Sequence, residues 1–258
     1  MASRLKSSGS PTVVYLYGVT AKPAALSSLV GVDGKAKAEP IECAGLVCWI
    51  SLVSRTEFAD NLAKNMENLD WLGEAGVRHQ RVVSAIAGLT DILPARFGTV
   101  FMDVSSLKAD VGAKKGTLLN DLCRIQGCDE WGVKVFSVQP KVKMAAGKPG
   151  TGRDYLKTKA ALLRRPSAGV SIEGLDTFSA ALRRISMEMS DGGRISAGQR
   201  GLQMQSSLLL KRGNRKKLEA TLKKYSEQWA DSGRIECTGP WPPYSFVSRT
   251  ASTTEGNN

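Results

Sequence analysis

The stretch ECTGPWPPYSFV at residues 236–247 decides the architecture of the second half of the chain. Pro240, Pro242 and Pro243 surround Trp241, and because proline fixes the backbone and lacks an N–H donor, they predict a rigid turn within a final pair of strands. Such a turn holds the indole either against the last helix or out toward a partner. We expect the indole to pack against the helix.

Strand and helix patterns alternate upstream of this turn. The segment 203–211 is predicted as a strand and 214–231 as a helix, while an earlier helix has apolar residues at three-to-four-residue spacing between Ile172 and Met189. This order of elements predicts a split βαβ, ferredoxin-like unit.

The first half of the chain has the pattern of a separate α+β unit. Predicted helices cover residues 55–67, 70–87 and 104–125, and predicted strands cover 12–19, 43–53, 91–101 and 131–138.

Residues 139–152 combine Pro, Gly and Lys without periodicity, which is typical of a linker. The predicted fold class is therefore α+β with two domains, an N-terminal α+β domain and a C-terminal ferredoxin-like α+β domain. The predicted bounds are 11–138 for the first domain, 139–152 for the linker, 153–247 for the second domain, and 1–10 and 248–258 for flexible tails.

Composition places the chain among ordinary globular proteins, since 42% of its 258 residues are hydrophobic. The longest apolar run, at 45–53, has strand length and falls short of the roughly 20 residues that cross a bilayer. No apolar segment follows the basic residues near Met1, so no secretory signal is predicted. We expect a cytoplasmic protein without membrane contact.

Positive charge is concentrated in the second half of the chain. Residues 1–140 contain 15 Lys/Arg and 14 Asp/Glu, whereas residues 141–258 contain 21 and 10. The expected role of this charge is solubility. Nucleic-acid binding is the alternative, but the basic cluster KRGNRKK at 211–217 lacks the interleaved aromatic residues of a stacking platform.

Catalytic and metal-binding patterns are weak. His79 is the single histidine and lies on the apolar face of the predicted helix 70–87, where a satisfied core histidine is expected rather than a general base. Cys43 and Cys48 lie five residues apart on one predicted strand, and their side chains would then face opposite sides, so they predict buried reduced thiols and no zinc site.

The segment GKPGTGRD at 147–154 mimics a phosphate-binding loop. Arg153 stands where the loop requires Lys, and Asp154 stands where it requires a Ser or Thr hydroxyl for magnesium. We therefore predict no nucleotide site, no catalytic residue, no metal and no cofactor.

Five motifs together resemble the gas vesicle protein F/L family. They are ECTGPWPPYSFV, YLYGV at 15–19, LPARFGTVF at 93–101, WGVKV at 131–135 and GRDYL at 152–156.

Within these motifs, Arg96 must reach solvent or pair with an acid, and Gly98 permits a bulge or a close backbone approach. The motif residues that are candidates for partner contact are Arg96, Phe97, Gly98, Trp131, Tyr155, Trp241, Pro242, Pro243 and Tyr244.

The resemblance implies a function as well as a fold. It implies a non-enzymatic accessory protein or minor component of the gas vesicle, whose partners are the hydrophobic shell subunit and other gas vesicle accessory proteins. We expect it to bind the shell subunit and to limit its aggregation during nucleation. The apolar faces of the second domain are expected to engage the subunit, while the basic charge opposes self-association.

Overall fold

The computed structural model describes residues 11–138, 172–191 and 199–248. The chain forms two compact units, one of Met1–Glu130 with Trp241–Asn258 and one of Trp131–Pro240. This division differs from the predicted one, because the boundary falls at Glu130 and the residues from Trp241 onward join the first unit. The predicted linker 139–152 lies outside the described residues and stays a prediction.

The first unit is built on an antiparallel sheet. Its strands follow the order β2-β3-β1-β4, and β5 also pairs with β1, so β1 and β3 are central. The bounds are β1 Thr12–Thr20, β2 Glu39–Cys43, β3 Leu46–Ser54, β4 Ile92–Pro94 and β5 Val100–Phe101.

The strand predicted at 43–53 is part of a hairpin. Ala44 (φ 53°) and Gly45 (φ 82°) both have left-handed backbone, as a tight two-residue turn requires, and they join β2 to β3. Pro40 fits in β2 because β2 is an edge strand. The prediction that Cys43 and Cys48 face opposite sides is wrong, since they lie on paired strands: Cys48 is opposite Ile41, two residues from Cys43, so both buried thiols are on the same face of the sheet.

Helices cover the sheet of the first unit. A short π-helix Thr56–Asp60 precedes α1 Leu62–Glu67, α2 Leu69–Ala87 and α3 Val104–Ile125. Asn68 and Asp103 cap the two long helices with side-chain oxygens that accept backbone N–H groups. The face of α2 that packs into the core carries Ala75, His79, Val82, Val83 and Ile86.

The second unit has the predicted ferredoxin-like topology. Its described elements run strand, helix, strand, strand, helix, strand, and their sheet order is β7-β8-β6-β9. They are β6 Cys128–Ser137, α4 Leu175–Ile185, β7 Glu188–Asp191, β8 Leu202–Lys211, α5 Arg215–Gln228 and β9 Gly233–Trp241.

Two details of the second unit differ from prediction. The strand predicted to close the first domain, β6, is the central first strand of this unit for most of its length. Met189, expected on a helix, lies in β7 and pairs with Leu208. Both differences arise because strand pairing across the sheet, rather than local periodicity, decides where these segments belong.

An aromatic cluster of Phe178, Tyr225 and Trp229 centres the second unit, with ring centroids 4.8–5.3 Å apart. The apolar faces of the strands and helices pack around this cluster, and Leu208, Leu210 and Leu218 are buried. For the described faces, the expectation that they engage a partner is therefore wrong, because they form the unit's own core.

The end of the described chain also departs from the predicted strand pair. One strand, β9, is followed by Pro242 and Pro243 and then by a single 3-10 turn, Tyr244–Phe246. We call residues 242–248 the C-terminal strap, and they belong to the first unit.

Candidate functional site: a groove beside Arg96

Residues 95–99 form a loop that interrupts the strand predicted at 91–101. The N–H of Ala95 donates to the carbonyl of Tyr17 (2.8 Å), and the carbonyl of Thr99 accepts from the N–H of Leu16 (3.0 Å), so β1 anchors both ends of the loop. The carbonyl of Arg96 accepts from both the N–H (3.1 Å) and the hydroxyl (2.7 Å) of Thr99. These bonds hold the backbone of the loop in one conformation.

Gly98 provides the conformation that the loop needs. Its φ is 82°, in the left-handed region that favours glycine, and its N–H donates to the hydroxyl of Tyr15 (3.1 Å). The structure therefore gives glycine a different role here from the predicted bulge or close backbone approach, namely a left-handed loop position. The bond connects the loop to the buried centre of the first unit.

A chain of hydrogen bonds runs from the loop through His79 to the strap. The hydroxyl of Tyr244 lies 3.1 Å from Oε1 of Gln80 and shares a hydrogen bond with Nε2 of His79 (3.2 Å). The Nδ1 atom of His79 shares a hydrogen bond with the hydroxyl of Tyr15 (2.9 Å). Both nitrogens of the neutral imidazole are therefore satisfied, one as donor and the other as acceptor.

Burial keeps His79 neutral. It lowers the pKa of the imidazole to about 4, although a hydrogen bond with the backbone of Ala95 acts in the opposite direction. Burial likewise raises the pKa of Tyr15 and of Tyr244 above the ordinary value for tyrosine. The expected core histidine is confirmed, because both ring nitrogens are hydrogen-bonded and 3% of the residue is exposed.

Two buried carboxylates hold the C-terminal strap. Glu130 accepts from the N–H (2.8 Å) and the hydroxyl (2.6 Å) of Ser245. Asp121 accepts in the same way from Ser248, at 2.8 and 2.9 Å, and also from Arg124. Burial opposes ionisation of Asp121, but the bonds from Arg124 and Ser248 outweigh it and lower the pKa of the carboxyl. Ser248, predicted in a flexible tail, is thus fixed.

A groove of about 690 Å³ lies between the loop, helix α3 and the strap. Its lining is mostly apolar, with contributions from β1, β4 and β5 as well. Two of its charged groups, Asp110 and Lys114, pair with each other at 2.6 Å. Arg96 is exposed at the groove, as one of its two predicted alternatives requires.

The structure brings some of the motif residues together at this groove. Arg96, Gly98 and Tyr244 line it. Phe97 lies behind the loop, where its ring packs against those of Trp71 (6.0 Å between centroids) and His79 (5.8 Å). Three motifs that are distant in sequence, YLYGV, LPARFGTVF and the strap, therefore build one site.

Other motif residues lie elsewhere. Trp131 belongs to the second unit, with the guanidinium of Arg215 5.7 Å from its ring centroid. Pro242 and Pro243 are buried, whereas Trp241 is 44% exposed. The prediction that Trp241 packs as a core residue is wrong, because it is the last of four consecutive exposed residues, 238–241, at the end of the edge strand β9. Tyr155 lies outside the described residues.

Sequence reasoning missed the carboxylates that hold the strap. Asp121 and Glu130 lie 127 and 115 residues from the serines they bind. A contact of that separation leaves no local pattern, and the adjacent acids Asp129 and Glu130 look like an ordinary turn in sequence. The one sequence signal is that Ser245 and Ser248 are residues that often bond carboxylates, and this signal does not identify which carboxylates they bond.

Two other kinds of site are absent from the described residues. No three His, Cys, Asp or Glu side chains there are grouped so that they could hold a metal ion. No helix within the same ranges combines the length and apolar character needed to span a membrane.

Comparison with known proteins agrees with this architecture. Residues 13–248 match the family model for gas vesicle synthesis protein GvpL/GvpF. A curated relative, gas vesicle protein L of Streptomyces sp. (strain CB03234), is 30% identical over 204 residues, which cover 72% of this chain and 73% of the relative.

Two crystal structures share the fold. GvpF from Anabaena sp. PCC7120 aligns with a TM-score of 0.67 at 16% identity, covering 93% of this chain and 97% of that one. GvpF from Microcystis aeruginosa aligns with a TM-score of 0.65 at 19% identity, covering 92% and 99%. With the family model matched across both units, the chain belongs to the GvpL/GvpF family of gas vesicle synthesis proteins.

Proposed function

We propose that this chain is a non-catalytic assembly factor of the gas vesicle that binds the hydrophobic shell subunit and limits its aggregation. The observation that carries the proposal is the groove of the first unit, where family motifs from three parts of the chain converge. Other gas vesicle accessory proteins are further proposed partners, and the gas vesicle and the surrounding cytoplasm are the proposed location.

The groove has the size and chemistry of a binding site. Its volume of about 690 Å³ lies within the range of roughly 300–1,000 Å³ that is common for ligand pockets. Leu118 and Val247 are half-buried on two of its walls, so apolar surface is open to a partner. Burying that surface against an apolar segment would stabilise a complex.

The second unit supports the proposal through its charge. The end of its strand β8, the following turn and helix α5 display exposed cations, which raise the charge of any complex and oppose self-association. The exposed cations of this segment are Lys211, Arg212, Arg215, Lys216, Lys217, Lys223 and Lys224. In this proposal the first unit binds and the second unit solubilises.

Light scattering of the shell subunit tests the proposal. We expect the purified chain to delay aggregation at near-equal stoichiometry without ATP, and to do so at both roughly 0.1 M and roughly 1 M salt, between which the Debye length falls from about 10 to about 3 Å. Aggregation that proceeds unchanged at every ratio would overturn the proposal. Protection that vanishes at the higher salt concentration would show that the contact is electrostatic and made by the basic surface.

A matched pair of variants locates the contact. Leu118 lines the groove, whereas its neighbour Leu119 is exposed and lies outside the lining. We expect Leu118→Trp to fill the groove and weaken protection, while Leu119→Trp protects as the unaltered chain does. Equal protection by both variants would remove the groove from the proposed function.

A further inference from the structure

We propose, resting on the proposed function, that the groove takes an apolar peptide segment that carries one carboxylate, and that Arg96 pairs with this carboxylate. Its basis is the combination of an apolar lining with a single cation that has no acidic partner.

Of the three charged residues that line the groove, Arg96 is the one without a partner of opposite charge in the described part of the chain. Asp110 and Lys114, one turn apart on α3, neutralise each other at 2.6 Å. No acidic side chain among residues 11–138, 172–191 and 199–248 forms a salt bridge or hydrogen bond with the guanidinium of Arg96. The groove therefore complements a ligand that carries one negative charge.

The backbone holds Arg96 in place before any ligand arrives. Its own carbonyl is held by two hydrogen bonds from Thr99, and the neighbouring Ala95 and Gly98 are bonded to Tyr17 and Tyr15. A fixed backbone lowers the entropy that binding must remove. The planar guanidinium suits a carboxylate, because it can donate two parallel hydrogen bonds.

The apolar lining determines what surrounds the carboxylate. Leu16, Val100 and Phe101 contribute from the sheet, and Leu118 and Val247 from the opposite walls. A free carboxylate would leave this surface in water, whereas a segment with apolar side chains on both sides of an acid covers it. The matching ligand is thus an acidic residue inside an apolar sequence.

Two fluorescein-labelled peptides test the inference with the full chain. Both are alternating Leu-Ser peptides, one with a central Asp and one with Asn at that position, and binding is followed by fluorescence anisotropy. We expect the Asp peptide to bind about fivefold more tightly, as for a well-formed ion pair that is partly exposed. Arg96→Gln should remove this preference.

Lys108→Gln is the matched control. Lys108 is an exposed residue of α3 outside the groove lining, so this variant loses the same charge as Arg96→Gln without changing the site. The preference for Asp should persist in it. Equal binding of the two peptides by the unaltered chain, or an undiminished preference in Arg96→Gln, would overturn the inference.

Measuring the shell subunit in parallel separates this inference from the proposed function. If the subunit binds the unaltered chain but the peptides show no preference, the inference fails and the proposed function stands. If the peptides show the preference but the subunit does not bind, the proposed function fails and the groove's ligand chemistry stands.

Discussion

The interiors of the two units differ in how much polar structure they bury. In the first unit, Thr20, Ser51, His79, Asp121 and Glu130 are buried, whereas in the second unit Ser206 is the one buried polar residue of the described ranges. The second unit is held by an apolar core with an aromatic centre. In the first unit, His79, Asp121 and Glu130 position the loop and the strap that line the groove, whereas Thr20 and Ser51 are bonded elsewhere in the unit.

The polar interior of the first unit carries a cost. Each buried polar group must keep its partner, because an unsatisfied group costs about 1–3 kcal/mol. A protein gains from such groups where geometry matters more than stability. This difference supports the proposal that the first unit holds the binding site and that the second unit is a scaffold.

The largest expected effect comes from breaking the apolar core of the second unit. Trp229 is 2% exposed and contacts Phe178 and Tyr225, so Trp229→Ala should lower the free energy of unfolding by about 3–5 kcal/mol. Hydrogen exchange resolved along the chain would place the loss in the second unit.

Trp241→Ala serves as the matched control for this prediction. Trp241 is 44% exposed at the end of β9, so its removal should change the free energy of unfolding by about 0.5 kcal/mol or less. A loss as large as that of Trp229→Ala would show that Trp241 is a core residue after all.

The next effect is a pH dependence confined to the first unit. The pKa of His79 is about 4 when folded, against an ordinary value of 6.5, so the unfolded state binds more protons between these values. Stability should be constant above about pH 6.5 and fall by about 3 kcal/mol as the pH drops to 4. Hydrogen exchange at several pH values measures this for each unit separately.

His79→Gln checks the cause of that dependence. An amide can still bond with Tyr15 and Tyr244 but does not titrate, so the slope between pH 6.5 and 4 should flatten in the first unit. An unchanged slope would mean that another group is responsible. The second unit, whose described core has no buried titratable carboxylate or histidine, should show no such slope.

The smallest effect comes from loosening the strap. Ser245→Ala removes the 2.6 Å bond to Glu130 and should cost about 1–2 kcal/mol. Faster exchange at the amides of 244–248, with the second unit unaffected, is the expected observation. Ser105→Ala, an exposed position on α3, is the control and should leave the strap amides unchanged.

Elements with strong local periodicity were predictable from sequence. The helix α3 and the strands β1 and β8 lie within one or two residues of their predicted bounds, because a helical or alternating pattern depends on neighbours along the chain. The resemblance of the motifs to the gas vesicle protein F/L family is confirmed by the match over residues 13–248.

Features that depend on distant contacts were not predictable. The turn at Ala44 has no glycine at its first position, so the hairpin β2–β3 looked like one strand. Assignment of β6 to the second unit depends on its pairing with β8 and β9, and the strap depends on Asp121 and Glu130. In the candidate site, Arg96, Gly98 and Tyr244 were identified, but their convergence on one groove required the fold.

The most direct test of the account is a hydrogen-exchange footprint of the full chain with and without the shell subunit, taken before the subunit aggregates. We expect slower exchange at the groove, in residues 93–101 and 110–118 and in the strap, with the helix Arg215–Gln228 unchanged. Protection confined to that basic helix, or no protection in the groove while the subunit is bound, would contradict it.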